Sequence, residues 1–247
     1  MKIIITGKPA SGKGTVGNFI AKKMKLKEIS MGNIIRERIK KDKKLEILVK
    51  KKMNAGKLLP DKVMNEIAKK YFKQNKIKDN FIFDGYPRTL LEAKYITKLF
   101  DFDHIIELNI TNKEVVNRIK KRLICGEFSY IIGKKYKIIS KKVKELRKKK
   151  GLNSKEIIIK VNSLCPKTGK ILEKRKDDMP LKLKTRLNEY NKKTKPILKF
   201  FKIYAKMIEN NNKIKKNEKK IPKINIINGM GSINKIQKKV YDLIKNG

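Results

Sequence analysis

Residues 7–15, Gly-Lys-Pro-Ala-Ser-Gly-Lys-Gly-Thr, constrain the fold of this chain more than any other segment. The apolar run Ile3–Ile5 precedes them, and an apolar pattern with helical spacing begins at Val16. A strand, a glycine-rich turn and a helix are therefore predicted in direct succession, the context in which G-x-x-x-x-G-K forms a phosphate-binding loop. The loop N–H groups and the positive end of the helix would surround phosphate oxygens, and Lys13 would add a mobile positive charge. An ordinary glycine-rich turn is the alternative interpretation.

Apolar runs and amphipathic stretches alternate along most of the chain. This alternation predicts an α/β fold in which a parallel sheet carries helices on both faces and binds ligands at the carboxyl ends of its strands. Two segments interrupt the alternation: residues 31–60 have helical patterns without a strand, and residues 123–175 combine two short strand candidates, residues 130–132 and 157–159, with a lysine-rich middle. The Lys- and Asn-rich residues 213–220 predict a loop. Predicted strands cover residues 2–6, 27–30, 80–84, 104–109 and 223–227, and predicted helices cover residues 13–24, 31–42, 60–74, 89–99, 112–122, 178–208 and 232–245.

The chain has 247 residues and a net charge of +44, which raises the question of nucleic-acid binding. The basic residues are overwhelmingly lysine and are spread along the chain, and Asn and Ile are also abundant, as the codons of an AT-rich genome favour. Nucleic-acid surfaces usually combine Arg and aromatic residues with Lys. We therefore expect only nonspecific attraction to polyanions at low salt.

The sequence also predicts a location. No apolar run is as long as a membrane span, and the first predicted strand begins too early for a cleavable signal sequence. The two cysteines show no repeated spacing, which favours a reducing compartment. We expect a cytoplasmic monomer that does not bind membranes, with a matrix-like or other organellar location as the alternative.

A second motif, Asp84-Gly85-Tyr86-Pro87-Arg88-Thr89, follows the apolar residues 81–83. If this predicted strand lies next to the first one, Asp84 ends beside the phosphate-binding loop, where a carboxylate can orient Mg²⁺ or its water ligands. Arg88 would then project over the same cleft. The alternative is a strand-to-helix turn in which Gly-Tyr-Pro only changes the chain direction.

Together the two motifs resemble the adenylate kinase family of P-loop nucleoside monophosphate kinases, which has the signatures G-x-P-x-x-G-K-G-T and D-G-Y-P-R-T. The resemblance extends over nearly the whole chain. Six of the eight arginines fall on phosphate-binding positions of the family: Arg88 and five others. Those five lie in segments similar to S-T-G-D-x-x-R (residues 30–36), R-x-x-x-R (118–122), R-x-D-D (175–178) and the family's last phosphate arginine (Arg186).

The resemblance implies Mg²⁺-dependent, reversible transfer of a phosphoryl group from ATP to AMP. It also implies three parts: a P-loop core (1–30, 61–122 and 176–247), a helical domain that binds the monophosphate (31–60) and an extended lid (123–175). The reaction forms no covalent intermediate, so the protein has to align two nucleotides and stabilise developing charge. Closure of the lid would exclude water, which could otherwise accept the phosphoryl group.

The same resemblance implies the site residues. The expected catalytic residues are Lys13, Asp84, Arg88, Arg122, Arg175 and Arg186. ATP is expected at Gly7, Pro9, Ala10, Ser11, Gly12, Lys13, Gly14, Thr15, Arg118 and Arg122. AMP is expected at Met31, Gly32, Arg36, Lys57, Leu59, Gly85, Arg88, Glu92, Arg175 and Arg186. A nucleotide- or RNA-binding protein without turnover is the alternative from another class, although a binder would not need the full set of phosphate arginines.

Three site positions depart from the family pattern: Ala10 replaces a glycine, Met31 a threonine and Glu92 a glutamine. Alanine costs little at a negative φ and more at a positive one. A glutamine can both donate to and accept from an adenine edge, whereas an ionised glutamate only accepts. Glu92 would therefore suit the amino group of adenine or cytosine, which makes AMP the first choice and CMP, or dual specificity, the alternative. Glu92 could instead point to solvent.

The predicted lid also departs from the family pattern. Zinc-binding members have two C-x-x-C or C-x-x-D pairs, but here Cys125 and Cys165 each lack the second half of the pair. Two thiolates alone do not make a closed tetrahedral zinc site, so the positions are degenerate and we expect no bound zinc. A lysine-rich insertion between the cysteines, including residues 141–142 and 147–150, is interpreted as a solvated segment or, less favoured, as a contact for a polyanion or a partner.

Overall fold

The computed structural model describes residues 1–125, 128–132, 135–137, 145, 158–160, 164–175, 178–215 and 219–246. The strands are β1 (Lys2–Gly7), β2 (Lys27–Ser30), β3 (Phe81–Asp84), β4 (His104–Asn109), β5 (Arg122–Cys125), β6 (Phe128–Ile131), β7 (Lys135–Lys137), β8 (Ile158–Lys160) and β9 (Lys223–Asn228). The helices are α1 (Lys13–Lys23), α2 (Met31–Arg38), α3 (Lys43–Lys52), α4 (Asp61–Gln74), α5 (Leu90–Ile96), α6 (Asn112–Lys121), α7 (Pro180–Glu189), α8 (Pro196–Lys215) and α9 (Ile233–Lys245). A 3₁₀ turn covers Met53–Ala55, and a π-helical segment covers Tyr190–Thr194.

The chain divides into two compact units, one formed by Met1–Val115 with Leu181–Gly247 and the other by Val116–Pro180. The first unit contains a five-stranded parallel sheet in the order β2-β3-β1-β4-β9. All five strands were predicted from the sequence, and the predicted α/β fold with a parallel sheet is confirmed. In the register of the sheet, Ile5 of β1 pairs with Asp84 of β3, so the carboxyl ends of these two strands lie side by side.

Alternating side chains of the strands supply two separate cores, one on each face of the sheet. Ile3 and Ile5 of β1 pack in a cluster with α1 and α9, whereas Ile4 packs in a larger cluster with α2 to α5 and α8. This division follows from the two-residue repeat of a strand, which points successive side chains to opposite faces. The larger cluster contains Phe81 and Phe83 of β3, whose rings lie 4.6 Å apart. Helices therefore cover both faces, as the sequence predicted.

Three predicted helices differ clearly from the structure. The helix expected over residues 89–99 ends at Ile96. The helix expected over residues 31–42 ends at Arg38, and α3 follows because Asp42 caps its first turn by accepting a hydrogen bond from the backbone N–H of Leu45. The helix expected over residues 178–208 is divided by the π-helical segment into α7 and α8. Because α8 continues to Lys215, the loop predicted over residues 213–220 is wrong for its first three residues.

The second unit contains two antiparallel pairs, β5 with β6 and β7 with β8. Strands β6 and β8 lie where the sequence suggested short strands. The unit has a small core of its own, made of Leu123, Cys125, Tyr130, Cys165 and Leu172. The predicted lysine-rich segments 141–142 and 147–150 lie outside the described residues. No helix among the described residues has the length and apolar character that a membrane span requires.

Candidate functional site

The loop between β1 and α1 is built as the sequence predicted for a phosphate-binding loop. Gly12 has a left-handed backbone, with φ 97°, and is the N-cap residue directly before α1. The ammonium group of Lys13 turns back into the loop, where Nζ donates to the carbonyl oxygens of Gly7 at 2.9 Å and Lys8 at 2.8 Å. The loop therefore forms a closed ring around its own lysine at the amino end of a helix, which favours anions.

Two glycines of this loop have close neighbours. A Cβ at Gly7 would lie 2.5 Å from the carbonyl oxygen of Leu108, and a Cβ at Gly14 would lie 3.2 Å from Oδ2 of Asp84. The close approach favours glycine at position 14, and it places the Asp84 carboxylate against the start of α1. Ala10, which replaces a glycine of the family pattern, has φ 58°. It therefore occupies the left-handed region in which alanine is strained.

The turn after β3 holds Arg88 close to the strand end. Gly85 has φ 71°, and its carbonyl oxygen accepts a hydrogen bond from Nε of Arg88 at 2.7 Å. A Cβ at Gly85 would lie 2.8 Å from Nη2 of Arg88, so only glycine lets the guanidinium fold back in this way. Asp84 and Arg88 thus lie at the same end of the sheet, as the motif predicted.

Glu92 lies on α5 and is 1% exposed, so the interpretation that it points to solvent is wrong. Its Oε2 accepts a hydrogen bond from the backbone N–H of Arg88 at 2.6 Å. Burial raises the pKa of Glu92 to about 7, and the nearby Asp61 carboxylate adds to the shift, against the opposing effect of Arg88. Sequence reasoning treated Glu92 only as a base-recognition residue and missed its contact with the Arg88 backbone.

The residues expected to bind the monophosphate have different environments. Met31 is 1% exposed and Leu59 is 4% exposed, and both pack in the larger core cluster. The guanidinium of Arg36 lies against Gly32 and donates a hydrogen bond to Asn33. Lys57 is exposed.

The turn before Lys57 meets α7, which carries Arg186. A Cβ at Gly56 would lie 2.6 Å from the carbonyl oxygen of Lys182 and 3.1 Å from Cγ of Arg186. The backbone N–H of Leu58 donates to Oε2 of Glu189, on the same helix, at 3.2 Å. The structure therefore brings the end of the predicted monophosphate domain together with Arg186.

Three of the predicted phosphate arginines, Arg118, Arg122 and Arg175, belong to the second unit. Arg122 forms a bidentate ion pair with Asp178, in which Nε donates to Oδ2 at 2.8 Å and Nη2 donates to Oδ1. The side chains of the pair are 14% and 3% exposed. Arg118 and Arg175 are half-buried.

The two cysteines, also in the second unit, share one hydroxyl neighbour. Cys125 Sγ lies 3.1 Å from Oγ1 of Thr168, and Cys165 Sγ is hydrogen-bonded to the hydroxyl of Tyr130 at 3.3 Å. Burial and the neighbouring Cys165 thiol raise the pKa of Cys125. Burial also acts to raise the pKa of Cys165, but its hydrogen bonds with Thr168, Tyr130 and nearby backbone groups outweigh this effect and lower the pKa to about 7. Within the described residues, no group of three or more His, Cys, Asp or Glu side chains could hold a metal ion.

Sequence reasoning missed a polar contact network on the π-helical segment. The hydroxyl of Tyr190 donates to Glu107 of β4, and Oγ1 of Thr194 donates to the carbonyl oxygen of Arg88 at 2.9 Å. Tyr190, Glu107 and Thr194 are each at most 8% exposed. The signal in the sequence was weak, because Tyr190 and Thr194 are four residues apart and fit an ordinary amphipathic helix.

Comparisons with known proteins agree with this geometry. A family model described as adenylate kinase matches residues 5–206. An adenylate kinase from Buchnera aphidicola subsp. Cinara cedri is 35% identical over 225 residues, which cover 90% of this chain and 95% of that protein. An adenylate kinase from Ureaplasma urealyticum serovar 10 is 33% identical over 213 residues, 85% of this chain and 91% of that protein. An adenylate kinase from Mycoplasmoides gallisepticum is 31% identical over 204 residues, which cover 82% of this chain and 87% of that protein.

Proposed function

The chain belongs to the adenylate kinase family, and on that premise we propose that it transfers a phosphoryl group reversibly from ATP to AMP, giving two molecules of ADP. The observation that carries the proposal is the contact between the two motifs. Gly14, at the start of α1, lies against the Asp84 carboxylate, and Arg88 folds over the same strand end. A donor phosphate and an acceptor phosphate would therefore meet charged groups at one edge of one sheet.

On the donor side, the loop residues would bind the phosphates of ATP. The N–H groups of the Gly7–Thr15 loop and the amino end of α1 provide donors for phosphate oxygens. Lys13 now donates to two loop carbonyls and would turn its ammonium group towards the transferred phosphate. Arg118 and Arg122 are the further donor-side cations of the proposal.

Magnesium fits the residues present at this edge of the sheet. Asp84 offers carboxylate oxygens beside the phosphate-binding loop, and Oγ of Ser30 lies 3.5 Å from Oδ2 of Asp84. Oxygen ligands of this kind suit Mg²⁺, which usually retains several water molecules and binds substrate phosphates. When bound with ATP, Mg²⁺ neutralises charge on the phosphates. Asp84 would orient its water ligands.

On the acceptor side, Arg36, Arg88, Arg175 and Arg186 would hold the monophosphate and stabilise the charge that develops during transfer. Planar guanidinium groups suit this task because they can donate two parallel hydrogen bonds to a phosphate. The contact of Gly56 with Arg186 supports this assignment, because it joins the monophosphate segment to one of these arginines.

The acceptor base is proposed to be adenine, with cytosine as the alternative. The Glu92 carboxylate, if it faces the base, would accept from the exocyclic amino group that both bases carry and would disfavour the carbonyl groups of uracil and guanine. The buried position of Glu92 between Arg88 and the core supports a specific role over a solvent-facing one.

A coupled assay with ATP and each of AMP, CMP, UMP and GMP tests the proposal. We expect turnover that requires Mg²⁺ and prefers AMP. Lys13→Ala and Arg88→Ala should lower kcat by about two to four orders of magnitude, because each removes positive charge from the transition state. Glu66→Gln, on the exposed face of α4, is the control. The absence of turnover with any acceptor would favour the non-catalytic binding protein, and a preference for CMP would favour the alternative specificity.

We infer that residues 31–60 act as the monophosphate domain and residues 123–175 as a lid. The expectations of a monomer and a cytoplasmic location stay predictions.

A further inference from the structure

Arg88 is held through its backbone as well as through its side chain. Its N–H donates to Glu92 at 2.6 Å, and its carbonyl oxygen accepts from the Thr194 hydroxyl at 2.9 Å. Nε of Arg88 donates to the carbonyl oxygen of Gly85 at 2.7 Å. Three buried or half-buried partners therefore restrain one residue, which limits the positions open to its guanidinium.

Thr194 reaches Arg88 from a segment with unusual backbone geometry. It is the last residue of the π-helical segment, in which the N–H of Lys195 donates to the carbonyl oxygen of Tyr190 at 2.8 Å. The Tyr190 hydroxyl donates to Glu107 of β4, so the segment is attached to the central sheet at one end and to Arg88 at the other. Single π-helical turns inside helices occur frequently at functional sites.

The same segment continues from the helix that carries Arg186. Arg186 lies four residues before Tyr190, on α7. The attachment of Thr194 to Arg88 therefore links the backbone positions of two arginines that the proposed function places on the acceptor phosphate. A link of this kind matters because small displacements of charged groups reduce transition-state stabilisation strongly.

We propose that Thr194 is a positioning residue that, together with Glu92, fixes Arg88 for phosphoryl transfer. The inference rests on the proposed function. Neither side chain has to touch a substrate for this role, since both act on the Arg88 backbone.

Thr194→Val tests the role, because valine has the shape of threonine without the hydroxyl. We expect kcat/KM for AMP to fall about tenfold, the effect of one lost hydrogen bond, while KM for ATP stays unchanged. Thr194→Ser keeps the hydroxyl and should restore most of the activity. Thr97→Val is the matched control, because Thr97 is also 8% exposed but donates to the helix carbonyls of Ala93 and Lys94. An unchanged kcat/KM in Thr194→Val, or an equal loss in Thr97→Val, would overturn the proposal.

A double-mutant cycle separates positioning from general destabilisation. In an Arg88→Ala background, Thr194→Val should have no further effect on kcat/KM, because the group that it positions is gone. A loss that remains tenfold in this background would show that Thr194 acts elsewhere, and the inference would be wrong.

Amide hydrogen exchange provides a readout that does not depend on turnover. If Thr194 holds the Arg88 peptide, Thr194→Val should accelerate exchange at the N–H groups of Arg88 and Thr89, and Thr194→Ser and Thr97→Val should not. Unchanged exchange in Thr194→Val would refute the positioning role even in an enzyme that proved inactive. If the wild type lacks turnover but Thr194→Val still accelerates this exchange, the proposed function alone is contradicted.

Discussion

Arg122 and Asp178 are 56 residues apart in the chain and form a bidentate ion pair inside the second unit, with Nε and Oδ2 separated by 2.8 Å. The side chain of Asp178 is almost inaccessible to solvent. The pair connects Arg122, the first residue of β5, to Asp178, which lies two residues before the end of the unit at Pro180. It also keeps a predicted phosphate arginine in a defined orientation.

Asp178→Asn should destabilise the protein by about 3 kcal/mol, because it leaves a largely buried guanidinium without its counter-charge. Chemical denaturation measures the change in the free energy of unfolding. Asp79→Asn is the matched control, since Asp79 pairs with the N-terminal ammonium at 2.8 Å but its side chain is 55% exposed. Exposed pairs contribute about 1 kcal/mol or less. Equal losses in the two variants would show that burial of the pair has no effect on stability.

The sequence predicted all five strands, and β1, β3 and β4 most clearly, because a buried parallel strand is a short apolar run between turn residues. The contact of Asp84 with the phosphate-binding loop was also predictable, since it follows from placing β3 beside β1. Contacts made by tertiary packing were not predictable in this way. The reason for glycine at position 14 becomes visible only when the Asp84 carboxylate lies next to it.

Other features depend on interactions that no local pattern specifies. The π-helical segment has ordinary helical spacing in the sequence, and its geometry is tied to the contacts of Tyr190 with Glu107 and of Thr194 with Arg88. Glu92 is a charged residue on a helix, which usually indicates an exposed face. Its burial is stabilised by backbone donors that the preceding turn supplies.

Ala10→Gly should stabilise the protein. Ala10 has φ 58°, a conformation that costs a residue with a Cβ about 1–2 kcal/mol and costs glycine almost nothing. The greater entropy of glycine in the unfolded chain offsets part of this, so we expect a net gain of about 1 kcal/mol. Ala21→Gly, at a buried position in the last turn of α1, should instead destabilise the protein by about 1 kcal/mol. Thermal unfolding of both variants gives the signs, and a lower Tm for Ala10→Gly would contradict the expectation.

Removal of metal should leave the second unit intact. Cys125 and Cys165 interact with the hydroxyls of Thr168 and Tyr130, so the small core has hydrogen-bonded thiols where zinc-binding members have ligands. We expect purified protein to hold well under one zinc per chain and to keep its Tm in a chelator. Elemental analysis and thermal unfolding measure these quantities. One tightly bound zinc per chain, with a Tm that falls in the chelator, would show that the prediction is wrong.

Glu92→Gln should change the pH dependence of stability. In the folded protein, burial raises the pKa of Glu92 to about 7 from an ordinary value of 4.5. The folded state therefore binds a proton more tightly than the unfolded state. The stability associated with this proton is fully present below pH 4.5 and is lost as the pH rises to about 7. Glutamine cannot ionise, so the variant should avoid this loss.

The quantity to follow is the free energy of unfolding of Glu92→Gln minus that of the wild type. We expect this difference to increase by about 3 kcal/mol between pH 4.5 and pH 8, because each unit of pKa shift corresponds to about 1.4 kcal/mol. Urea denaturation at several pH values measures this difference. Glu66→Gln removes a carboxylate from an exposed position of α4 and is the control. If the stabilities of the two variants change with pH in the same way, burial does not raise the pKa of Glu92 and the prediction is wrong.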